Sequence, residues 1–191
     1  MHPIFIPIVA TVGPLRFKPD ELVDRFKRKT LKRDEHWLRT GDTCRKLVFI
    51  ETGCLRHYRV HEEQELTRWA GFAGQFATSI SSFTQQRPSE ENIMATEPTV
   101  LWELDHLVWL EMRNEYPQLQ AFWVQTLEYL LGCYDDRVWS LIAGGAEDRY
   151  RYMIARYPDF LLNLPQHFVA DMLGIAPRHL SRIRSKIAKE G

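Results

Sequence analysis

The sequence predicts an α+β chain: an antiparallel β barrel or jelly roll, then one long helix, then a small helical domain. Three observations carry that expectation. Between residues 31 and 104, short β-branched and aromatic segments recur at even spacing with turn residues between them, the pattern of small all-β barrels. After Leu104 the apolar period switches to three or four residues and holds to about Ile142, the period of a helix. Behind Ala143-Gly144-Gly145 the chain reads as short amphipathic helices ending in a basic segment.

The bulk properties bound the answer. A chain of 191 residues has room for one large or two small domains with proper cores. Hydrophobic residues at 45% and charged residues at 26% are those of a globular protein, not of a disordered or membrane one. The apolar opening, residues 3–12, is too short and too broken by proline to span a bilayer. It also lacks the basic head of a secretory signal, so a cytoplasmic home with no membrane partner is expected. Cys44, Cys54 and Cys133 are scattered and include no C-x-x-C pair; they read as reduced core thiols rather than zinc or iron–sulfur ligands. The seven histidines show no H-x-H or H-x-x-x-H pair on a convincing surface except His57 and His61. No metal and no cofactor is expected.

Taken in order, the elements begin at Pro19-Asp20-Glu21, where proline and an acidic first turn predict a helix to about residue 29. Strands are expected at 46–50, 54–60, 66–70, 75–77, 92–95 and 99–104. Turns fall at Thr40-Gly41-Asp42, Thr52-Gly53, His61-Glu62-Glu63-Gln64, residues 71–74 and Glu97-Pro98. Asp105 is placed to cap a helix to about 115, which Pro117 stops. The long helix that follows carries Leu119, Trp123, Leu127, Leu130, Tyr134, Val138 and Leu141 as one apolar stripe, with Phe122, Leu131 and Trp139 widening it. Two readings fit that stripe: packing on the chain's own barrel, or pairing with a twofold mate, with Gly132 allowing close approach. A further helix is expected from about 146 to 156, stopped at Tyr157-Pro158.

The last segment, 165–187, has the layout of a helix-turn-helix. Phe168, Val169, Met172 and Leu173 give a first helix an inward face, and Ala170 is small where a second helix must cross. Gly174 stands at the helix end where positive φ is needed. Ile175 plugs the turn, and Pro177 opens the next helix at its first position. Leu180, Ile183 and Ile187 form the buried stripe of that second helix; Arg178, His179, Ser181, Arg182, Ser185 and Lys186 form its other face. The chain as a whole balances 25 basic against 25 acidic residues. From Leu164 onward, however, Arg178, Arg182, Arg184, Lys186 and Lys189 face only Asp171 and Glu190, an asymmetry that points to a polyanion. The plainer alternative is a helical hairpin with a solvated charged face.

Over nearly its whole length the chain resembles the cyclic-AMP-receptor/Fnr (Crp/Fnr) superfamily of bacterial transcription regulators, in particular short Bacteroidetes-type members. The resemblance rests on Gly53-Cys54-Leu55-Arg56, on the W-A-G-F-A-G-Q-F string at 69–76, on Pro88-Ser89 through Ile93 and Ala95, and above all on the G-I-A-P-R-H-L-S-R-I string at 174–183. It implies an N-terminal cyclic-nucleotide-binding-like, cupin-like jelly roll at 1–115, a dimerisation helix at 116–143 and a helix-turn-helix domain at 144–191. The implied partners are duplex DNA with a palindromic operator and a second copy of the chain through residues 117–142. Carried over by position, Arg178, Ser181 and Arg182 face base edges, with Arg182 the best candidate for bidentate contact with guanine. Gln166, His167, His179, Arg184 and Lys186 are placed to meet phosphates.

The sequence departs from the family in two places. Nucleotide-binding members grip the ribose with Gly-Glu and the cyclic phosphate with Arg-Ser/Thr-Ala. Here Gly74-Gln75 replaces the first pair, and Arg87-Pro88-Ser89-Glu90 puts Ser89 at the guanidinium's place, beside repelling Glu90 and Glu91. Gly74, Gln75, Arg87 and Ser89 thus mark a degenerate effector pocket, and cyclic AMP is not the expected ligand. Phe72, Phe76 and Phe83 either bound a pocket for an unidentified small-molecule effector or are simply core. The sequence also ends four residues past Ile187, which leaves no room for the family's β-hairpin wing. The expectation is a regulator and not an enzyme. The alternatives are a cupin-like metal enzyme, for which His57, His61 and Glu62 are the nearest ligand set, or a ligand-binding module whose helix-turn-helix no longer works.

Overall fold

A computed structural model describes residues 1–189; Glu190 and Gly191, the tail of the expected segment 144–191, lie outside the described residues. The chain forms two compact units, Met1–Arg59 with Ala70–Glu128, and Val60–Trp69 with the residues from Tyr129 onward. The expected α+β architecture is observed. No helix among the described residues is long and apolar enough to cross a membrane.

Eight strands build two four-stranded sheets: β1 (Lys27–Leu31), β2 (His36–Leu38), β3 (Lys46–Thr52), β4 (Cys54–His61), β5 (Gln64–Phe72), β6 (Phe76–Ala77), β7 (Asn92–Ala95) and β8 (Thr99–Asp105). The orders are β1-β8-β3-β6 and β2-β7-β4-β5. Sequence neighbours β3 and β4, and again β7 and β8, lie in opposite sheets, so the chain alternates between layers as in a jelly roll. β3 lies between β8 and β6 and buries Leu47, Val48, Phe49 and Ile50 in a row, the continuous apolar run of a strand covered on both faces. Gly53 makes the switch from β3 to β4 at φ +91°, where a Cβ would stand 2.8 Å from Thr99 Cα and 2.9 Å from the Pro98 carbonyl oxygen. Leu31, Ile50, Leu55, Ile93, Leu101 and Leu104 fill the space between the sheets.

The expected helix from Pro19 to residue 29 is instead a 3-10 stretch, Pro19–Arg25, followed by β1. Proline and the acidic first turn do start a helical turn. Beyond it, Lys29 meets Glu103 of the adjacent β8 at 3.7 Å, Arg28 reaches Glu51 of β3, one strand farther, at 3.2 Å, and Leu31 is fully buried. Cross-strand pairing outweighs the local preference. Two further helices carry no clear sequence signal: α1 (Ile6–Val12) and α2 (Ile80–Gln85). The apolar opening of the chain is part of the core, with Ile4, Phe5 and Ile8 buried.

After β8 come α3 (His106–Glu115) and α4 (Pro117–Ala143). Asp105 sits at the N-cap of α3, but its side chain makes no capping bond. The single stripe expected along α4 divides. Leu119, Phe122 and Trp123 are buried in the first unit, where Trp123 packs edge-on to Trp109 at 5.8 Å and Phe83 at 5.9 Å. Farther along, Val124, Leu131, Val138, Trp139 and Ile142 are exposed, Leu131 by 70% and Trp139 by 68%. A Cβ on Gly132 would meet nothing within 4 Å.

Candidate nucleic-acid interface

The second unit contains α5 (Ala146–Arg156), α6 (Pro158–Asn163), α7 (Gln166–Leu173) and α8 (Pro177–Ile187). α7 buries Val169, Ala170, Met172 and Leu173, so Ala170 is the close-packed small residue that the spacing required. The helix ends at Gly174 with φ 64° and ψ 40°. There the Gly174 N–H donates to the Asp171 carbonyl at 3.0 Å and the Ile175 N–H to the Ala170 carbonyl at 3.1 Å. This pair of bonds is a Schellman ending, which satisfies orphan carbonyls and reverses the chain sharply. Ala176 then caps α8, and Pro177 occupies its first turn, where its missing N–H costs nothing.

α8 is strongly two-faced. Leu180 and Ile183 are buried, whereas Arg178, His179, Ser181, Arg182, Arg184, Ser185 and Lys186 are exposed. Ser181, Arg182, Ser185, Lys186 and Lys189 together line one shallow surface hollow. Lys186 differs from the arginines: its Nζ lies 2.7 Å from Glu147 Oε2. That contact, followed by the bond from Arg151, holds the Glu147 carboxyl below its ordinary range. Gln166 and His167 are exposed at the start of α7, and the His167 ring lies tilted against Phe168 with centroids 4.1 Å apart.

α7 is seated by groups that sequence spacing did not single out. The backbone N–H and hydroxyl of Thr67 both donate to Asp171 Oδ2, at 3.2 and 3.0 Å. Arg137 donates to the Met172 carbonyl at 2.9 Å and to the Arg68 carbonyl at 2.6 Å. Trp69 packs against Tyr134, Tyr157 and Phe160 with centroids 5.1 to 6.2 Å apart. Arg137 and Met172 lie 35 positions apart and the other pairs roughly 65 to 105, so only the tertiary fold brings them together. The repeated aromatic residues at 150–160 were the one available signal.

The residues expected to mark a degenerate effector pocket differ in exposure and in partners. Gln75 is exposed and its Oε1 accepts from the Phe72 N–H at 3.1 Å. Gly74 is exposed at φ +86°. Arg87 is exposed and stands 3.7 Å from Glu90, which also pairs with Arg59 at 2.9 Å. Ser89 alone is buried, where it joins a polar network missed in the sequence: the Ser79 hydroxyl donates to Glu91 Oε1 at 2.7 Å, Ser89 Oγ lies 3.2 Å from Ser79 Oγ, and His57 Nδ1 stands 3.6 Å from Glu91 Oε2. His57 is buried while His61 and Glu62 are exposed, so those three do not converge. Among the described residues no cluster of three His, Cys, Asp or Glu side chains is arranged for a metal.

Several solved structures share this fold. A mutant of CooA from Carboxydothermus hydrogenoformans aligns with a TM-score of 0.78 at 17% identity, covering 96% of this chain and 85% of that one. The catabolite activator protein of Thermus thermophilus aligns at 0.60 and 21% identity, over 100% and 88%. The c-di-GMP-responsive global regulator CLP of Xanthomonas campestris aligns at 0.66 and 17%, over 91% of each chain. No protein-family model matches the chain, and neither does any curated protein. At these identities the likeness shows the fold, and the fold is that of the Crp/Fnr-type regulators.

Proposed function

We propose that the chain is a homodimeric, sequence-specific DNA-binding regulator of Crp/Fnr type, working in the cytoplasm, in which α7 and α8 form a helix-turn-helix. The observation that carries this reading is α8 itself: a helix docked by Leu180 and Ile183 that turns Arg178, Ser181, Arg182 and Ser185 outward on one side of a Schellman turn. A helix fits the major groove, and arginine there pairs bidentately with guanine. Arg178, Ser181 and Arg182 read bases; Gln166, His167, His179, Arg184 and Lys186 meet phosphates, Lys186 after giving up Glu147. The exposed apolar residues of α4 between 117 and 142 form the twofold contact. On this reading residues 1–115 are the sensor, 116–143 the dimer helix and 144–191 the DNA-binding domain.

The sensor is not a cyclic-AMP receptor. Ser89 stands where a phosphate-gripping guanidinium is needed, and the buried Glu91 carboxylate beside it opposes an anion. Isothermal titration is expected to show no micromolar binding of cyclic AMP or cyclic GMP. Selection of bound sequences from random duplex DNA tests the main reading. The expected result is a palindrome with half-sites about one helical turn, ~34 Å, apart. No enrichment at moderate salt would overturn it and leave the reading of a module whose helix-turn-helix is idle.

A further inference from the structure

Within the second unit, Thr67, Arg68, Arg137, Asp171 and Met172 close a ring of bonds at the end of α7. Asp171 Oδ2 accepts from the Thr67 N–H and hydroxyl at 3.2 and 3.0 Å. The carbonyl of the next residue, Met172, accepts from Arg137 Nη2 at 2.9 Å. Arg137 Nη1 in turn donates at 2.6 Å to the carbonyl of Arg68, which follows Thr67 in the chain. The ring thereby joins β5, α4 and α7. It closes just before Gly174, where the chain reverses toward α8.

Apolar packing alone can hold helices together, and a buried guanidinium costs desolvation that a hydrophobic residue of like volume does not. Burial, and then the charge of Arg68, bring Arg137 below the usual arginine range, so the cation is kept at an electrostatic cost. What it adds is direction, because its planar fork fixes two carbonyls at once. Its place on α4 matters as much. Cys133 and Arg137, four residues apart, share one face of the helix, and Cys133 is buried. Val138, the very next residue, belongs to the exposed apolar face with Leu131 and Trp139. Adjacent residues of α4 thus carry the proposed twofold contact and the bond that holds α7. Leu141 adds to that path, its Cδ2 lying 3.8 Å from where a Cβ of Gly174 would stand.

We propose that this ring is a clamp that fixes the separation of the two recognition helices in the dimer, with Arg137 and Asp171 as positioning residues for half-site spacing. The inference rests on the reading of α8 as the helix that enters DNA and of α4 as the twofold contact. Arg137 and Asp171 act through α7 and not by touching bases. Each base pair added or removed between half-sites shifts them by ~3.4 Å and turns them by about 35°. A closed clamp therefore accepts one spacing, and an open one accepts several.

Fluorescence anisotropy of the full chain tests it on the selected operator, on the same operator with its spacer one base pair longer or shorter, and on an isolated half-site. The wild type is expected to prefer one spacing by about tenfold or more. Arg137→Gln and Asp171→Ala, with unchanged circular dichroism, reduce that preference to within about threefold and leave half-site affinity within about threefold of the wild type. Asp171→Asn, whose amide oxygen still accepts from both Thr67 donors, keeps the wild-type preference. Where Arg137→Gln does not fold, the two Asp171 variants decide. A structural role alone lowers half-site and operator binding together, and that result overturns the clamp. So does a spacing preference that survives in Asp171→Ala, or one that Asp171→Asn fails to restore. A wild type that binds no duplex overturns the helix-turn-helix reading and the clamp with it, whereas a wild type with one preferred spacing shared by the variants overturns the clamp alone.

Discussion

Arg182 and Arg184 lie two positions apart on α8, both exposed, and the reading gives them different work. A guanidinium on a base edge discriminates between sequences, whereas one on a phosphate does not. Arg182→Ala is therefore expected to lose about 1–3 kcal/mol of preference for the selected operator over random DNA. Arg184→Ala weakens both alike and lowers the slope of log affinity against log salt by about one. Fluorescence anisotropy on both DNAs over a salt series distinguishes them; equal losses for Arg182→Ala sink its assignment. Cys54 makes a second prediction in the other unit. Burial, helped by Glu97 and opposed by a bond from Thr96, raises its thiol from 9.0 to about 11. Between those values the unfolded thiol ionises while the folded one stays neutral. The folded state thus binds more protons, and stability falls as pH rises through that window. The stability of the wild type relative to Cys54→Ala, from urea titrations, is expected to fall by about 2 kcal/mol between pH 9 and 11. A constant difference refutes it. The exposed face of α8 was legible because a period of 3.6 sorts residues by position alone. Arg137, Asp171 and Glu91 were not, since their partners come from distant segments of the chain.

At the scale of elements, two glycines with the same sign of φ separate conformational cost from steric cost. Gly174 has φ +64°, and an added Cβ meets only Leu141 Cδ2 at 3.8 Å, an ordinary contact. Gly174→Ala is expected to cost about 1–2 kcal/mol, the penalty of left-handed backbone for a residue with a Cβ. Gly53 has φ +91° and adds backbone neighbours inside 3 Å, so Gly53→Ala separates β4 from the start of β8 and costs at least 3 kcal/mol. Denaturant midpoints of the two variants provide the check, and similar losses would falsify the distinction. Both glycines were readable as turn residues, but only the packing around Thr99 tells which one is irreplaceable. The helix expected at 19–29 fails for the same kind of reason. Local signals there are real, yet β8 offers Lys27–Leu31 a full antiparallel ladder, and a sequence window carries no record of the strand that lies opposite.

At the scale of the whole molecule, the alternation of turns and short strands followed by a change of period was enough to foresee the architecture, because burial imposes those two periods on any such chain. What the period could not settle was which partner an apolar residue meets. Along α4 the stripe begins in the chain's own core, at Leu119 and Trp123, and ends exposed. Leu131 and Val138 are seven residues apart, hence on one face of the helix, and remain 70% and 54% exposed. That exposure is explained if the face is covered by a second copy. Introducing like charges there, as in Leu131→Glu with Val138→Glu, then leaves two desolvated carboxylates against their twofold equivalents. The variant is expected to sediment as a monomer with an unchanged circular dichroism spectrum, since neither side chain is part of a core. Its affinity for a palindromic operator falls by at least 10²-fold, because each recognition helix then binds alone. Its affinity for an isolated half-site stays within about threefold of the wild type. Light scattering with anisotropy on both DNAs reads all three quantities. A double variant that remains dimeric, or that loses half-site and operator binding in equal measure, places the twofold contact somewhere other than α4.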